Sequence, residues 1–145
     1  MTSIVSVGTQ GPAGAQGPVG PKGDPGSGIS VDISLLTNVI ISSYKIMTVD
    51  NQGFAIYADP SNPDHVSNVL GVSVNSVTDN TYVTIRTSGF MEDPAWSWVP
   101  YEPIFLGING TMTQTPPLTG FLLVVATVIS PTKLLINIKE PIVLS

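Results

Sequence analysis

The chain has 145 residues, 42% of them hydrophobic and only 10% charged, with a net charge of -5 and no cysteine. So apolar a composition excludes a disordered chain, and the lack of cysteine excludes a disulfide framework and a thiolate metal site. Lys22, Lys45, Arg86, Lys133 and Lys139 are scattered singly, so no basic stripe can follow a phosphate backbone and nucleic acid is not an expected partner. The charged fraction lies far below the usual quarter or so, as expected where one subunit covers surface that a monomer would expose.

Residues 1–7 (Met1-Thr2-Ser3-Ile4-Val5-Ser6-Val7) have no basic residue and no apolar run long enough for a secretory signal. Glycine then falls at every third position, at Gly8, Gly11, Gly14, Gly17, Gly20, Gly23 and Gly26. At this glycine content, independent placement would give such a run at one start about once in ten million. A collagen triple helix needs this rhythm, because only glycine fits at its crowded axis. Pro12, Pro18, Pro21 and Pro25 occupy positions between the glycines and pre-set the extended backbone. Lys22 and Asp24 flank Gly23, where staggered chains bring such residues together as an inter-chain ion pair.

Residues 8–28 therefore read as a triple-helical stalk, with a rod roughly 55 Å long from Gly8 to Gly26 at about 3 Å per residue. Gly28 breaks the triplet phase. So few triplets do not hold three chains together against a backbone entropy cost of roughly 1–2 kcal/mol per ordered residue. The remainder is expected to trimerise and to raise the effective concentration of the stalk strands.

Residues 29–43 admit two readings. Ile29, Val31, Ile33 and Leu35 alternate like a strand, whereas Leu36, Val39, Ile40 and Ser43 suit a helix face. Either makes a collar that sets the three chains in register. Residues 44–145 read as an all-β head, a compact barrel or sandwich, with strands at 44–49, 54–58, 68–74, 82–87, 104–108, 121–129 and 133–138. Turns are expected at Asp50-Asn51-Gln52-Gly53, Asp79-Asn80, Asn109-Gly110 and Ser130-Pro131-Thr132, with Pro141 ending the last strand. The longest apolar stretch, 121–129, is under half a membrane span and reads as a buried strand, so no membrane is expected.

Signals of catalysis are thin. His65 is the single histidine, in Asp59-Pro60-Ser61-Asn62-Pro63-Asp64-His65, and no nucleophile motif accompanies it. The simpler reading is an exposed loop whose Asp and Asn satisfy local backbone groups; an ion shared by three His65 residues on an axis is a minor alternative. The carboxylate pairs Glu92-Asp93 and Asp59 with Asp64 read as loop charges rather than a glycosidase site. Neither cofactor nor metal is expected. Trp96-Ser97-Trp98, with Tyr101 and Phe105, is the richest aromatic patch, and its spacing puts both tryptophans on one face of a strand. It suits an intra-trimer core, or else a sugar-stacking ledge or interface anchor; exposed rings would favour the ledge.

The order of landmarks in 43–145 resembles the small β-module of head-fibre and tail-fibre proteins of tailed bacteriophages. Those landmarks are Asp50-Asn51-Gln52-Gly53, Ala58-Asp59, Val69-Leu70-Gly71-Val72-Ser73, Gly89, Trp96-Ser97-Trp98 and Pro103-Ile104-Phe105-Leu106-Gly107. Asn109-Gly110, Pro116-Pro117, Gly120-Phe121 and Ile136-Asn137-Ile138-Lys139-Glu140-Pro141-Ile142 complete the series. The resemblance implies a non-enzymatic homotrimeric virion protein without catalytic residues. On that reading Ile4, Val5 and Val7 add an edge strand or plug to the major capsid protein or another virion protein, and the stalk carries the head above it. A capsid fibre or decoration protein is expected first. The alternatives are a tail-fibre tip that binds a host surface glycan through Trp96, Trp98 and Tyr101, and a collagen-like filament of a bacterial or spore surface; a capsule depolymerase comes last.

Overall fold

A computed structural model of the protein describes residues 29–144. The anchor residues Ile4, Val5 and Val7, the seven triplet glycines and the Lys22 and Asp24 pair lie outside the described residues. The fold is all-β: strands make up 45% of it, and one curled sheet forms a half-barrel. In chain order the strands are β1 (Val31–Thr37), β2 (Ile46–Val49), β3 (Ala55–Tyr57), β4 (Gly71–Ser73), β5 (Thr81–Glu92) and β6 (Ile104–Leu106). They continue with β7 (Met112–Thr113), β8 (Phe121–Leu122), β9 (Val124–Ser130), β10 (Lys133–Asn137) and β11 (Ile142–Val143). Nine join in the order β3-β2-β4-β5-β10-β9-β6-β7, with β1 also paired to β5, and β8 pairs with β11 separately.

Of the two readings for 29–43, the strand is the one found. β1 runs antiparallel to β5, from Val31 opposite Ser88 to Thr37 opposite Thr81. Arg86 fastens the pair, its Nε donating to Asp32 Oδ1 at 2.9 Å and a second guanidinium nitrogen to Asp32 Oδ2 at 3.1 Å. Of the positions that suited a helix, Leu36 lies within β1, while Val39 and Ile40 fall past it and are exposed; Ile41, next in the chain, is buried and bridges to Val77.

β5 holds the sheet together, because β1, β4 and β10 all pair with it. Val83 and Ile85 pack into a small core with Ile41, Met47 and Ala55. Met91, of the same parity, packs into the larger core with Ile104, Leu106, Phe121, Leu134 and Ile136. Successive strand residues face opposite sides, so the strand has changed face between Ile85 and Met91. The register shifts there, since Val31 stands opposite Ser88 and Asp32 opposite Arg86, so Thr87 is an extra, bulged residue that turns the strand over, and Gly89, at φ +114, follows it. Both cores are tied together by β2, whose Ile46 enters the larger and Met47 the smaller.

The turns show why the strands end where they do. Asp50 Oδ1 accepts from the backbone N–H of Gln52 and of Phe54, closing the hairpin from β2 to β3. Asn109 and Gly110 both take positive φ, 56° and 74°, and Thr111 N–H donates to Ile108 O at 3.2 Å, a tight primed turn inside the loop from β6 to β7.

Several strands differ from expectation. The strand expected at 82–87 runs on to Glu92, because β10 continues the pairing from Ser88. The single strand expected at 121–129 is two: Leu123 between them is buried and its carbonyl accepts from Leu106 N–H, so 121–122 pair with β11 and 124–130 with β6 and β10. Nor is this stretch buried throughout, since Ile129 is half exposed. The chain does not stop pairing at Pro141, because Ile142–Val143 forms β11.

Replacing Gly89 tests the close approach of the chain to β5. A Cβ there would lie 2.7 Å from Ser30 Cα, and the φ is one that L side chains rarely adopt. Gly89→Ala is expected to cost about 1–3 kcal/mol, read as a drop of several degrees in the thermal unfolding midpoint; an unchanged midpoint would refute the assignment.

Candidate functional site

Three features gather the residues singled out in the sequence: the tryptophan loop, the loop around His65, and a groove beside Asp59. The tryptophans lie in the loop that follows β5, not on a strand. That loop is held by backbone bonds rather than a ladder: Asp93 N–H to Thr132 O at 3.0 Å, Trp96 N–H to Asp93 O at 3.1 Å and Trp98 N–H to Pro131 O at 2.9 Å. Asp93 Oδ1 also accepts from Ala95 N–H. The loop needs no ladder to orient the rings, because both are partly buried against the larger core.

Trp96 meets Tyr44 edge to face with centroids 4.8 Å apart, and Trp98 lies 6.0 Å from Trp96 at a tilt of 59°. Such offset arrangements are favourable for aromatic quadrupoles. Burial, then the adjacent Asp93 carboxylate, raises the Tyr44 phenol above its ordinary value, so it stays protonated at neutral pH. Within one chain the tryptophans therefore serve as half-buried packing. Tyr101 is different: it is 102% exposed, at φ 70°. Its loop is held by Gln114, whose Oε1 accepts from Val99 N–H and whose Nε2 donates to the carbonyls of Val99 and Glu102. Sequence reasoning missed Gln114, since a lone glutamine in a polar run has no signature.

The segment around His65 is a knot of local bonds. Asn62 caps a 3-10 turn, Pro63–His65, by accepting from Asp64 N–H. Most of the loop is exposed as expected, but His65 is only 7% exposed. Its Nδ1 accepts from Asp59 N–H at 3.0 Å, which leaves the proton of a neutral ring on Nε2. Asp59 in turn accepts from Ser61 N–H, the Ser61 hydroxyl and, through Oδ2, Asn109 N–H at 3.0 Å. Burial pushes the Asp59 carboxyl up, but hydrogen bonds from Ser61 and Asn109 outweigh it, and its pKa falls below the ordinary value. This carboxylate is a clamp between two loops.

The other carboxylate pair is similarly occupied: Asp93 caps its own loop, and Glu92 stands opposite Lys133 across the ladder. Among the described residues, no three His, Cys, Asp or Glu side chains are grouped to hold a metal ion, and no helix is long and apolar enough to cross a membrane. A groove of about 600 Å³ lies beside Asp59, lined by Leu106, Ile108, Thr113 and Leu118. Ile108 and Leu118 are well exposed along it, at 70% and 90%. No family model, curated protein or solved structure matches the chain.

Two outcomes follow. Trp96→Ala is expected to lower head stability by about 2 kcal/mol through lost packing, measured by denaturant unfolding; unchanged stability would favour a ledge free of the core. Asp59, with its folded pKa depressed, contributes stability that is present above the ordinary Asp value of 3.8 and lost as pH falls through the folded pKa. Asp59→Asn should therefore flatten the acid limb of the stability profile below about pH 4, read by denaturant unfolding across pH, and an unchanged limb would contradict the clamp.

Proposed function

We propose that the protein is a non-enzymatic, homotrimeric virion protein of a tailed bacteriophage: a capsid fibre or decoration protein that displays a β head on a collagen-like stalk. The observation that carries this reading is the run of glycine triplets from Gly8 to Gly26, which ends three residues before Ile29, where the described head begins. The triplet rhythm calls for three chains, and the head supplies surface for them. Ile29, Ile40, Ile108, Leu118 and Val143 are all at least 70% exposed in a single copy. So many large apolar side chains in water are costly for a monomer and ordinary for a subunit.

The anchor is residues 1–7, with Ile4, Val5 and Val7 as the apolar positions of an added strand. The acidic side chains fit a non-enzymatic role, because Asp59 and Asp93 are spent on backbone donors. One observation favours a second reading, a receptor-binding tip: Tyr101 stands fully exposed on a loop braced by Gln114. Three such loops would engage a surface glycan weakly and gain from trivalency.

Immunogold microscopy with antibody against residues 29–144 tests the proposal on particles from the producing culture. Label spread over capsids is the expected result, and Ile4→Asp with Val5→Asp should abolish it while leaving the assembled protein intact. Label confined to a tail end would favour the tip reading, with glycan binding lost in Tyr101→Ala. Label on cells or spores and none on virions would overturn both.

A further inference from the structure

We infer that the outer face of β5, β10 and β9, centred on Phe90 and Leu135, is the contact between copies around the threefold axis; the inference rests on the trimeric reading above. Phe90 stands directly opposite Leu135, and Leu135 opposite Thr127. Their sequence neighbours Met91, Leu134, Ile136 and Ala126 fill the larger core. Alternation along a strand turns Phe90, Leu135 and Thr127 the other way, and none of the three belongs to either core cluster. Ile129, two positions along from Thr127, is 49% exposed.

In one copy this row is only partly covered: Phe90 and Leu135 are half-buried and Thr127 is exposed. Charge flanks it: Lys133, opposite Glu92, lays its Nζ 4.5 Å from the Phe90 ring centroid, and the Arg86 guanidinium donates to Phe90 O at 2.8 Å. An apolar centre with a polar rim is the anatomy of a subunit contact.

The stalk identifies what covers it. Ile29, Gly89, Phe90, Leu135 and Asn137 line one shallow depression of about 280 Å³. Three residue steps, roughly 10 Å of extended chain, separate Ile29 from Gly26, the last of the triplets, and a triple helix packs its glycines on the axis. A head of this length has a radius of gyration of about 13 Å, so the depression that holds Ile29 lies on the axial side of each head. Ile108 and Leu118, which are more exposed, line the groove beside Asp59, which does not include Ile29. The occupant is therefore a second copy of this chain, and each copy contacts two others in a closed ring.

The chain contains no cysteine, so single cysteines report proximity between copies directly. Ser27→Cys, Asn137→Cys and Leu118→Cys in the full chain are compared by oxidation and denaturing electrophoresis. Asn137 and Leu118 are both exposed in one copy, so neither replacement disturbs a core. The expected result is disulfide-linked dimer from Ser27→Cys, and from Asn137→Cys at least about ten times faster than from Leu118→Cys. Cross-linking at Ser27 with Asn137 no faster than Leu118 would overturn the axial face and leave the trimer standing. No cross-linking at Ser27 would overturn the trimeric reading and this inference with it.

Discussion

Strand β5 is the element on which the head hangs. Its twelve residues accept β1, β4 and β10 as hydrogen-bonded partners, so the segment that follows the glycine triplets, the middle of the sheet and the closing hairpin share one backbone. A long strand with both ends on the same side of the sheet would serve only one core. The bulge at Thr87 lets one strand serve two, placing Ile85 in the smaller and Met91 in the larger. Gly89, two residues further on, sits where Ser30 approaches the strand, so the crossover and the entry of the chain into the sheet adjoin.

Mechanical coupling follows from that arrangement. Load on the proposed stalk would pass from Ile29 into β1 and then sideways into β5 through the ladder and the Arg86 pair with Asp32. A strand loaded along its length against an antiparallel partner shares force among many backbone hydrogen bonds. The local clamps, Asp59 onto Asn109 and Gln114 onto Val99 and Glu102, hold loops that regular pairing does not reach.

Much of the fold was legible from local chemistry. Asp50 and Gly53 marked a turn because one carboxylate can satisfy two backbone donors, and Asn109 with Gly110 because both tolerate positive φ. What was not legible depended on partners distant in sequence. Residues 29–43 fit a strand or a helix until β5 supplied a ladder, and the strand expected to end at residue 87 runs on to Glu92 because β10 takes over the pairing. Leu123 sits within an unbroken apolar run, yet it ends one strand and precedes another because its carbonyl answers Leu106. The aromatic patch was visible as composition, but its half-burial against Tyr44 and the core was not, because period two suggested a strand where the chain forms a loop. His65 was assigned to an exposed loop, and its inward turn follows from a bond to Asp59 N–H that no spacing rule foretells.

The account depends most on the number of chains that assemble. Sedimentation equilibrium of the full-length protein measures it without reference to shape. The account predicts a mass three times the 15.2 kDa of one chain, held across a broad range of concentration. A mass of one chain at the same concentrations would contradict the stalk, the shared apolar surface and the virion reading together.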